Sequence, residues 1–277
     1  MIKETVDICI VGGGIIGLFT AAQLARQGFT IRLIDKTYIG SSRDNVGHIS
    51  LNGHPKGLHD FATFCHGAWQ RAASDLECDI GLLPVGSLML ASTEEELQRL
   101  KKDHESAIKQ KEMSQWSEDI SAMADALGKV KLSQEAKAGR LMSQDLLVDT
   151  TKVLDNTRKM LIQQGVRIWG QDAVESFLLD KEGNVKGVIT DSGETCLADH
   201  TIICTGASTP KLLDPLGIKL PIRPARCHIL ELTTSEPMPI PYITHLMPRG
   251  VLRMRRLATG RMLVAYDGVL EQRAAVY

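Results

Sequence analysis

The sequence predicts an α/β protein that joins a mainly parallel sheet with a β-meander to a second α+β module built on an antiparallel sheet. Three observations support this prediction. Apolar runs at 6–11 and 29–34 flank a glycine-rich turn and a helical pattern, which together form a βαβ opening. Short strands separated by turns fill residues 166–206. Further strand patterns at 222–235 and 251–267 are separated by proline-rich connections.

The composition limits the classes of partner and compartment. The 277 residues carry a formal net charge of -1 without long charged runs, so we expect no nucleic-acid partner. The six cysteines lack C-x-x-C spacing and are expected to be reduced thiols of a cytoplasmic protein. The N-terminus lacks a signal-peptide pattern, and its apolar stretch is too short to span a bilayer. Peripheral contact with the inner membrane face is compatible with these features.

The glycine-rich turn has the spacing Gly12-x-Gly14-x-x-Gly17. In such a motif the first glycine permits the tight turn, the second lets a pyrophosphate approach the backbone, and the third lets the helix pack closely on the strand. The N-terminus of the helix then offers N–H groups to phosphate. The sequence therefore predicts a dinucleotide site. A glycine-rich turn without a ligand is the alternative, which the surrounding strand and helix disfavour.

Asp35 ends the second apolar run, at a distance from Gly12 where a carboxylate accepts both hydroxyls of a ribose. A carboxylate there also repels a 2′-phosphate, so NADP is disfavoured. An NAD-type domain would continue with regular βα units. This chain instead continues with a polar loop at 40–54 and an amphipathic helix at 58–72, which favours FAD.

The remaining patterns predict several further elements. In the amphipathic helix the apolar residues at helical spacing are Leu58, Phe61, Ala62, Cys65, Trp69 and Ala72. After it we expect a strand within 82–92, a helix to about Lys111 that begins with a Ser92–Glu95 capping box, and a helix from Asp149 to near Gly165. Residues 113–142 are weakly patterned.

Four stretches together resemble the FAD-dependent amine and amino-acid oxidoreductases, the group of D-amino-acid oxidase and dehydrogenase, glycine oxidase, sarcosine oxidase, and opine or proline dehydrogenase. They are the opening through Asp35, "SSRDNVGHIS" at 41–50, "LLPVGSLMLASTEEELQRL" at 82–100, and the run at 165–230. The resemblance implies a glutathione-reductase-type FAD-binding domain, expected at 1–80 and 143–221. It also implies a substrate or interaction module, expected at 81–142 and 222–277.

The resemblance also implies cofactor-binding residues. Ser41 and Ser42 would reach the pyrophosphate, the backbone of Val174 would clamp the adenine, and the 45–48 loop would run along the flavin. The full expected set is Gly12, Gly14, Ile15, Ile16, Gly17, Asp35, Lys36, Ser41, Ser42, Asn45, Gly47, His48, Val174, Thr205 and Gly206. We predict that the FAD is bound non-covalently.

Two histidines depart from the family pattern. His48 stands where glutamine or glycine is usual, and Cys227-His228 stands where glycine-glutamine is common. Each histidine is a candidate to face the flavin, and the alternative for each is a polar histidine bonded to backbone. We favour that alternative for His228 and weigh the two equally for His48, which is also a candidate substrate contact.

The resemblance implies oxidation of a small amine or amino acid, with the α-carbon hydride passing to flavin and an imine left for hydrolysis. We assign no catalytic side chain and expect no metal site, because the sequence contains no obvious Ser-His-Asp set, metal-ligand cluster or paired carboxylate. Substrate contacts are expected within 245–256. Arg249 is the candidate partner for a substrate carboxylate, and a surface arginine is the alternative.

Two other functions remain as alternatives. One is FAD-dependent oxidation of a 2-hydroxy acid or a polyol phosphate. The other is a truncated or non-catalytic flavin-binding subunit of a larger complex, because the family pattern continues with a final glycine-rich turn and helix. We therefore expect a partner subunit or a missing C-terminal segment, and poor turnover by this chain alone.

Overall fold

The computed structural model describes residues 3–37, 40–51, 57–126, 132–224, 228–233, 242–247, 250–257 and 261–268. The chain divides into two compact units. The first unit comprises residues 1–45, 72–80 and 150–226, and the second comprises residues 46–71, 81–149 and 227–277.

Strands and helices are numbered separately in chain order. The strands are β1 (Lys3–Val11), β2 (Ile31–Asp35), β3 (His48–Ile49), β4 (Ser87–Ala91), β5 (Gln115–Ser117), β6 (Ala138–Met142), β7 (Leu146–Leu147), β8 (Arg167–Gly170), β9 (Val174–Leu179), β10 (Val185–Thr190), β11 (Thr195–Ile203), β12 (His228–Thr233), β13 (Tyr242–Met247), β14 (Gly250–Arg256) and β15 (Arg261–Gly268). The helices are α1 (Ile15–Arg26), α2 (His59–Leu76), α3 (Glu94–Lys109), α4 (Ile120–Ala126), α5 (Thr150–Gln163) and α6 (Thr209–Leu213), and single 3₁₀ turns lie at Gly206–Ser208 and Asp214–Leu216.

The first unit contains a six-stranded sheet in the order β8-β2-β1-β11-β10-β9. Strands β8, β2, β1 and β11 are parallel, whereas β11, β10 and β9 form the antiparallel meander. This arrangement confirms the predicted mainly parallel sheet with a meander. The last strand of the meander, β11, is also the longest of the three. The continuous pairing of β11 with β1, from Lys3–Thr195 to Val11–Ile203, keeps the strand unbroken.

Helix α1 begins at Ile15, and Gly28 lies two residues after its last residue, Arg26. Gly28 has a φ of 88°, in the left-handed region that glycine adopts without strain. Its N–H donates to Ala25 O at 2.9 Å, and the Phe29 N–H donates to Leu24 O at 3.3 Å. These bonds satisfy carbonyls in the last turn of the helix.

The core of the first unit lies within the parallel strands. Cys9, Ile10 and Leu33 are fully buried, and Val188 and Cys196 extend the apolar core into the meander. Burial of each large apolar side chain stabilises the unit by about 1.5–3 kcal/mol. Strands buried in this way require the continuous apolar runs that the sequence shows.

The second unit contains a seven-stranded sheet in the order β12-β15-β14-β13-β4-β6-β5. Its neighbours are antiparallel except β13 and β4, which are parallel. The run expected as a strand at 222–235 is a strand only over β12, and the run at 251–267 is the β14–β15 hairpin. The weakly patterned residues 113–142 contain β5, α4 and β6.

Two helix expectations were wrong in detail. The capping box of α3 uses Thr93 and Glu96, one residue later than the expected Ser92–Glu95 pair. The Thr93 Oγ accepts the Glu96 N–H at 3.3 Å, and the Glu96 carboxylate accepts the Thr93 N–H at 3.1 Å. At the start of α2, Leu58 and Phe61 are exposed although the apolar pattern placed them on a packing face.

The observed units draw their boundaries differently from the expected domains. Residues 46–71 and 143–149 pack with the second unit, because β3 pairs with β7 and Leu83 exchanges backbone hydrogen bonds with Leu147. Among the helices of the described residues, none combines the length and apolar character needed to cross a bilayer.

Candidate cofactor site

An open cavity of about 700 Å³ lies in the first unit. Its wall is formed where β1, β2 and β11 end, by the turn at 12–14, by Asp35 and Lys36, and by the segment at 204–208. Ligands of open α/β sheets bind at the carboxyl ends of the strands, and small-molecule sites have volumes of about 300–1,000 Å³. Both the place and the size of the cavity are those of a nucleotide site.

Glycine is required at each of the three motif positions for a different structural reason. Gly12 has a φ of 107°, and a Cβ there would lie 2.4 Å from Cys204 O. A Cβ on Gly17 would lie 1.9 Å from Gly12 O, so the close contact between α1 and the turn excludes any side chain. A Cβ on Gly14 would lie 3.0 Å from Ser42 Oγ at the cavity wall. Gly12 and Gly17 therefore maintain the turn, and Gly14 keeps the cavity open.

The N-terminus of α1 borders the cavity at Gly14, the N-cap residue, which has no side chain of its own to cap the helix. The first turn of α1 has no acidic residue to offset the positive end of the helix dipole. The Ile15 N–H donates to Ser42 Oγ at 3.1 Å, which leaves the Ser42 hydroxyl proton to donate elsewhere. These groups suit an anionic pyrophosphate.

The Asp35 carboxyl lies at the end of β2, and its side chain is 14% exposed. Burial raises the pKa of Asp35, and hydrogen bonds from the backbone of Gly13 and Thr37, together with the charge of Arg158, oppose that rise. The Arg158 Nη2 atom lies 3.8 Å from Asp35 Oδ2. A half-buried acceptor beside the glycine turn suits the hydroxyls of a ribose.

Most of the predicted cofactor residues come together in the first unit. Those that line the cavity are Gly12, Gly14, Asp35, Lys36, Ser41, Ser42, Val174, Thr205 and Gly206. Ile15 contributes its N–H, the Ile16 side chain is 68% exposed, and Gly17 lies beneath the turn. Their part in binding FAD stays a prediction.

Other predicted residues lie elsewhere. Asn45 is exposed and is not among the residues that line this cavity. Gly47 and His48 belong to the second unit. His228 is an exposed residue of β12. The candidate substrate residue Arg249 lies outside the described residues.

Four residues of this region were missed from the sequence. Gly13 packs against Asp35, because a Cβ there would lie 2.7 Å from Asp35 Oδ2, but the motif leaves that position unspecified. Arg43 lines the cavity and forms an ion pair with Asp155 of α5. Arg158 follows Asp155 by one helical turn. Neither Asp155 nor Arg158 was identified from the sequence, because their contacts with Arg43 and Asp35 join segments that are distant along the chain.

In the second unit, His48 belongs to a buried polar cluster around Asp145. The Asp145 side chain is 1% exposed, and its Oδ2 lies 2.8 Å from His48 Nε2. Ser87 Oγ donates to Oδ2 at 2.5 Å, and Ser50 Oγ donates to Oδ1 at 3.0 Å. The carboxylate therefore joins β3, β4 and β7 and fixes the His48 ring.

Substitution of Asp145 by alanine is expected to destabilise the protein by about 3 kcal/mol, because the His48 ring and two hydroxyl groups lose a buried hydrogen-bonding partner. Urea unfolding of the apoprotein measures the change. The matched control is Asp125→Ala, which removes an exposed carboxylate from α4 of the same unit. Equal unfolding free energies for the two variants would contradict the prediction.

Within the part of the chain that the structure describes, no group of three or more histidine, cysteine or acidic side chains is placed to hold a metal ion. The polar features of the cavity are instead a glycine turn, the N-terminus of α1 and the Asp35 carboxylate. Fold and cavity together define a dinucleotide-binding α/β protein with a meander and a second antiparallel sheet.

The chain belongs to the FAD-dependent oxidoreductase family, whose model matches residues 7–273. FAD is the cofactor of that family, and the open glycine cradle and the ribose-side carboxylate of this cavity fit it. The predicted family and cofactor are thereby confirmed.

Two curated relatives resemble the chain over most of its length. An opine oxidase subunit of Rhizobium meliloti is 23% identical over 243 residues, which cover 83% of this chain and 64% of the relative. Glycine oxidase of Geobacillus kaustophilus is 24% identical over 242 residues, which cover 84% of this chain and 63% of the relative. The chain thus spans slightly less than two thirds of each relative.

A solved structure shows the same fold. The glycine oxidase structure from Geobacillus kaustophilus superposes with a TM-score of 0.83 at 21% sequence identity, and the alignment covers 95% of this chain and 71% of that chain. This match supports the predicted fold class.

Proposed function

We propose that this chain binds FAD and oxidises a small amine or amino acid. The observation that carries the proposal is the cavity in which the glycine turn, the N-terminus of α1 and the Asp35 carboxyl meet. Membership of the FAD-dependent family supports the cofactor. The names of the relatives, an opine oxidase subunit and a glycine oxidase, support the substrate class.

Each part of the cavity has one role in the proposal. Gly12 and Gly14 admit the pyrophosphate to the N-terminus of α1, and the Ser42 hydroxyl donates to it. Asp35 accepts the ribose hydroxyls. The backbone at Val174 borders the adenine. The 205–206 segment borders the part of FAD that links the pyrophosphate to the flavin ring. FAD, when bound, supplies the hydride acceptor, while the protein binds and orients the reactants.

His48 is the residue of the second unit that we propose contacts the flavin or the substrate. Its ring is 19% exposed and is held by Asp145, so its orientation is fixed before any ligand binds. A preorganised side chain loses less conformational entropy when it meets a ligand.

Two measurements test the proposed function: the visible absorption spectrum of the FAD-loaded chain and the reduction of its flavin by substrate. Purified chain reconstituted with FAD should show protein-bound flavin absorption. Anaerobic addition of glycine, sarcosine, proline, D-amino acids or an opine should bleach that absorption, because the substrate hydride reduces the flavin. If only 2-hydroxy acids or polyol phosphates bleach the absorption, the proposed amine or amino-acid substrate class is wrong and one of these alternatives takes its place. Absence of bound flavin would overturn the proposal.

Asp35→Asn is expected to weaken FAD binding by about 1.5–3 kcal/mol, because the ribose loses charge-assisted hydrogen bonds. Fluorescence titration of apoprotein with FAD measures the dissociation constant. Asp44→Asn is the control, since it removes an exposed carboxylate close in sequence that is not among the cavity-lining residues. An unchanged dissociation constant for Asp35→Asn would count against the assigned role.

A partner subunit and a cytoplasmic location complete the proposal. The relative that is named as a subunit of opine oxidase supports the first, and the free thiols of the five described cysteines support the second. We expect steady-state turnover by the FAD-loaded chain alone, with a dye acceptor, to stay below about 1 per second. Turnover well above that rate would argue against a required partner.

A further inference from the structure

Arg158 of α5 contacts two groups of the cofactor cavity from behind its wall. Its Nη2 lies 3.8 Å from Asp35 Oδ2 and donates to Gly13 O at 3.4 Å. Its side chain is 12% exposed, so solvent screens the contact with Asp35 only partly. The guanidinium therefore touches the glycine turn and the ribose-side carboxyl together.

Asp155, one turn earlier on α5, fixes the other side of that guanidinium. Its Oδ1 lies 3.5 Å from Arg158 Nη1 and also pairs with Arg43, which lines the cavity. The hydroxyl of Thr150, at the start of α5, donates to Arg43 O at 3.0 Å. One helix thus holds both the loop that carries Ser42 and the arginine beside Asp35.

The chemistry of the ribose contact requires an ionised acid. A carboxylate accepts hydrogen bonds at both oxygens, whereas a protonated carboxyl offers one oxygen as a donor. Burial favours the protonated form of Asp35, and a neighbouring cation favours the ionised form. The other ionisable side chains that line the cavity are Lys36, Arg43, Glu175, Asp191, Cys204 and Lys211.

We propose that Arg158 is a positioning residue for cofactor binding, which keeps Asp35 ionised and aimed at the adenosine ribose, and that Asp155 holds Arg158 in place. The inference rests on the FAD assignment in the proposed function and does not depend on the substrate. In this proposal Arg158 acts on the cofactor through Asp35 and makes no direct contact with it.

The experiment measures FAD dissociation constants of apoproteins by fluorescence titration between about pH 5 and about pH 8. Arg158→Gln, which retains a hydrogen-bond donor for Gly13 O but loses the charge, should weaken binding about tenfold at neutral pH. Arg158→Lys should recover most of the affinity. Lys159→Ala, which changes the adjacent exposed residue of α5, is the control and should bind like the parent chain.

Two further readouts separate this role from a purely structural one. Binding of FAD requires ionised Asp35, so affinity falls as pH falls through the pKa of that carboxyl. Without the arginine charge that pKa is higher, and the loss should begin at a higher pH in Arg158→Gln than in the parent. In an Asp35→Asn background, Arg158→Gln should have little additional effect, because its route of action is already removed.

Several outcomes would overturn the inference. An unchanged dissociation constant and pH profile in Arg158→Gln would do so. An equal loss in the parent and in the Asp35→Asn background would show that Arg158 acts on the turn without Asp35. A parent chain that binds no FAD would overturn both this inference and the proposed function. Failure of the substrate panel with normal FAD affinities would contradict the proposed function alone.

Discussion

Replacement of Gly14 by valine is expected to weaken FAD binding by at least about a hundredfold, or about 3 kcal/mol, while the apoprotein remains folded. Gly14 precedes α1 and lines the cavity, and its added Cβ would lie 3.0 Å from Ser42 Oγ. The two γ-methyl groups of valine would occupy space in front of the helix N-terminus. A pyrophosphate would then lose its contact with the N–H groups and the Ser42 hydroxyl.

Fluorescence titration measures this loss, and thermal unfolding of the apoprotein reports whether the fold persists. The FAD affinity of Gly14→Ala should lie between those of the parent chain and the valine variant, because a single methyl group leaves part of the pyrophosphate space open. Gly40→Ala is the control on the same cavity wall, since an added Cβ there has no atom of a described residue within 4 Å. A Gly14→Val variant that binds FAD as tightly as Gly40→Ala would contradict the placement of the pyrophosphate.

Replacement of Gly17 by alanine is expected to lower the free energy of unfolding by about 3 kcal/mol or more. The added Cβ would lie 1.9 Å from Gly12 O and 3.4 Å from Cys204 Cβ. Gly12 O is a backbone atom, so relief requires α1 to move away from the turn. Such movement would also loosen the packing of Leu18 and Ala21, which are fully buried.

Urea unfolding of apoprotein tests this second expectation. The control is Gly67→Ala within α2, where the nearest atom to an added Cβ is Arg71 Nη1 at 3.4 Å. That substitution should be neutral or stabilising by up to about 1 kcal/mol, since alanine favours a helix interior more than glycine does. The prediction fails if Gly17→Ala and Gly67→Ala unfold at the same urea concentration.

The parts of the fold that sequence could predict are those with local signals. Gly12, Gly14 and Gly17 follow an apolar run, and Asp35 ends the next one, so spacing alone indicated a nucleotide cradle. The meander was readable because turns containing Gly183 and Gly193 separate its strands. Local hydrophobic pattern and turn residues determine these elements, and tertiary contacts do not override them.

The features that sequence could not predict depend on partners far along the chain. Arg158 and Asp35 meet only after α5 packs in the first unit, and His48 meets Asp145 only after β3 pairs with β7. The capping-box error has a different cause. Ser92 and Thr93 both precede glutamates by three residues, and only the backbone conformation selects Thr93.

The pairing of Lys3 with Thr195 has a consequence for the order in which the chain folds. During synthesis, β1 and β2 leave the ribosome early. The strand that flanks β1 on its other side is β11, and it emerges only after α3 and β6 of the second unit. Until then one edge of β1 offers unpaired N–H and C=O groups, which invite association with other strands. Closing so long a loop is slow, so this edge stays open to wrong pairing for much of the time that the chain takes to fold.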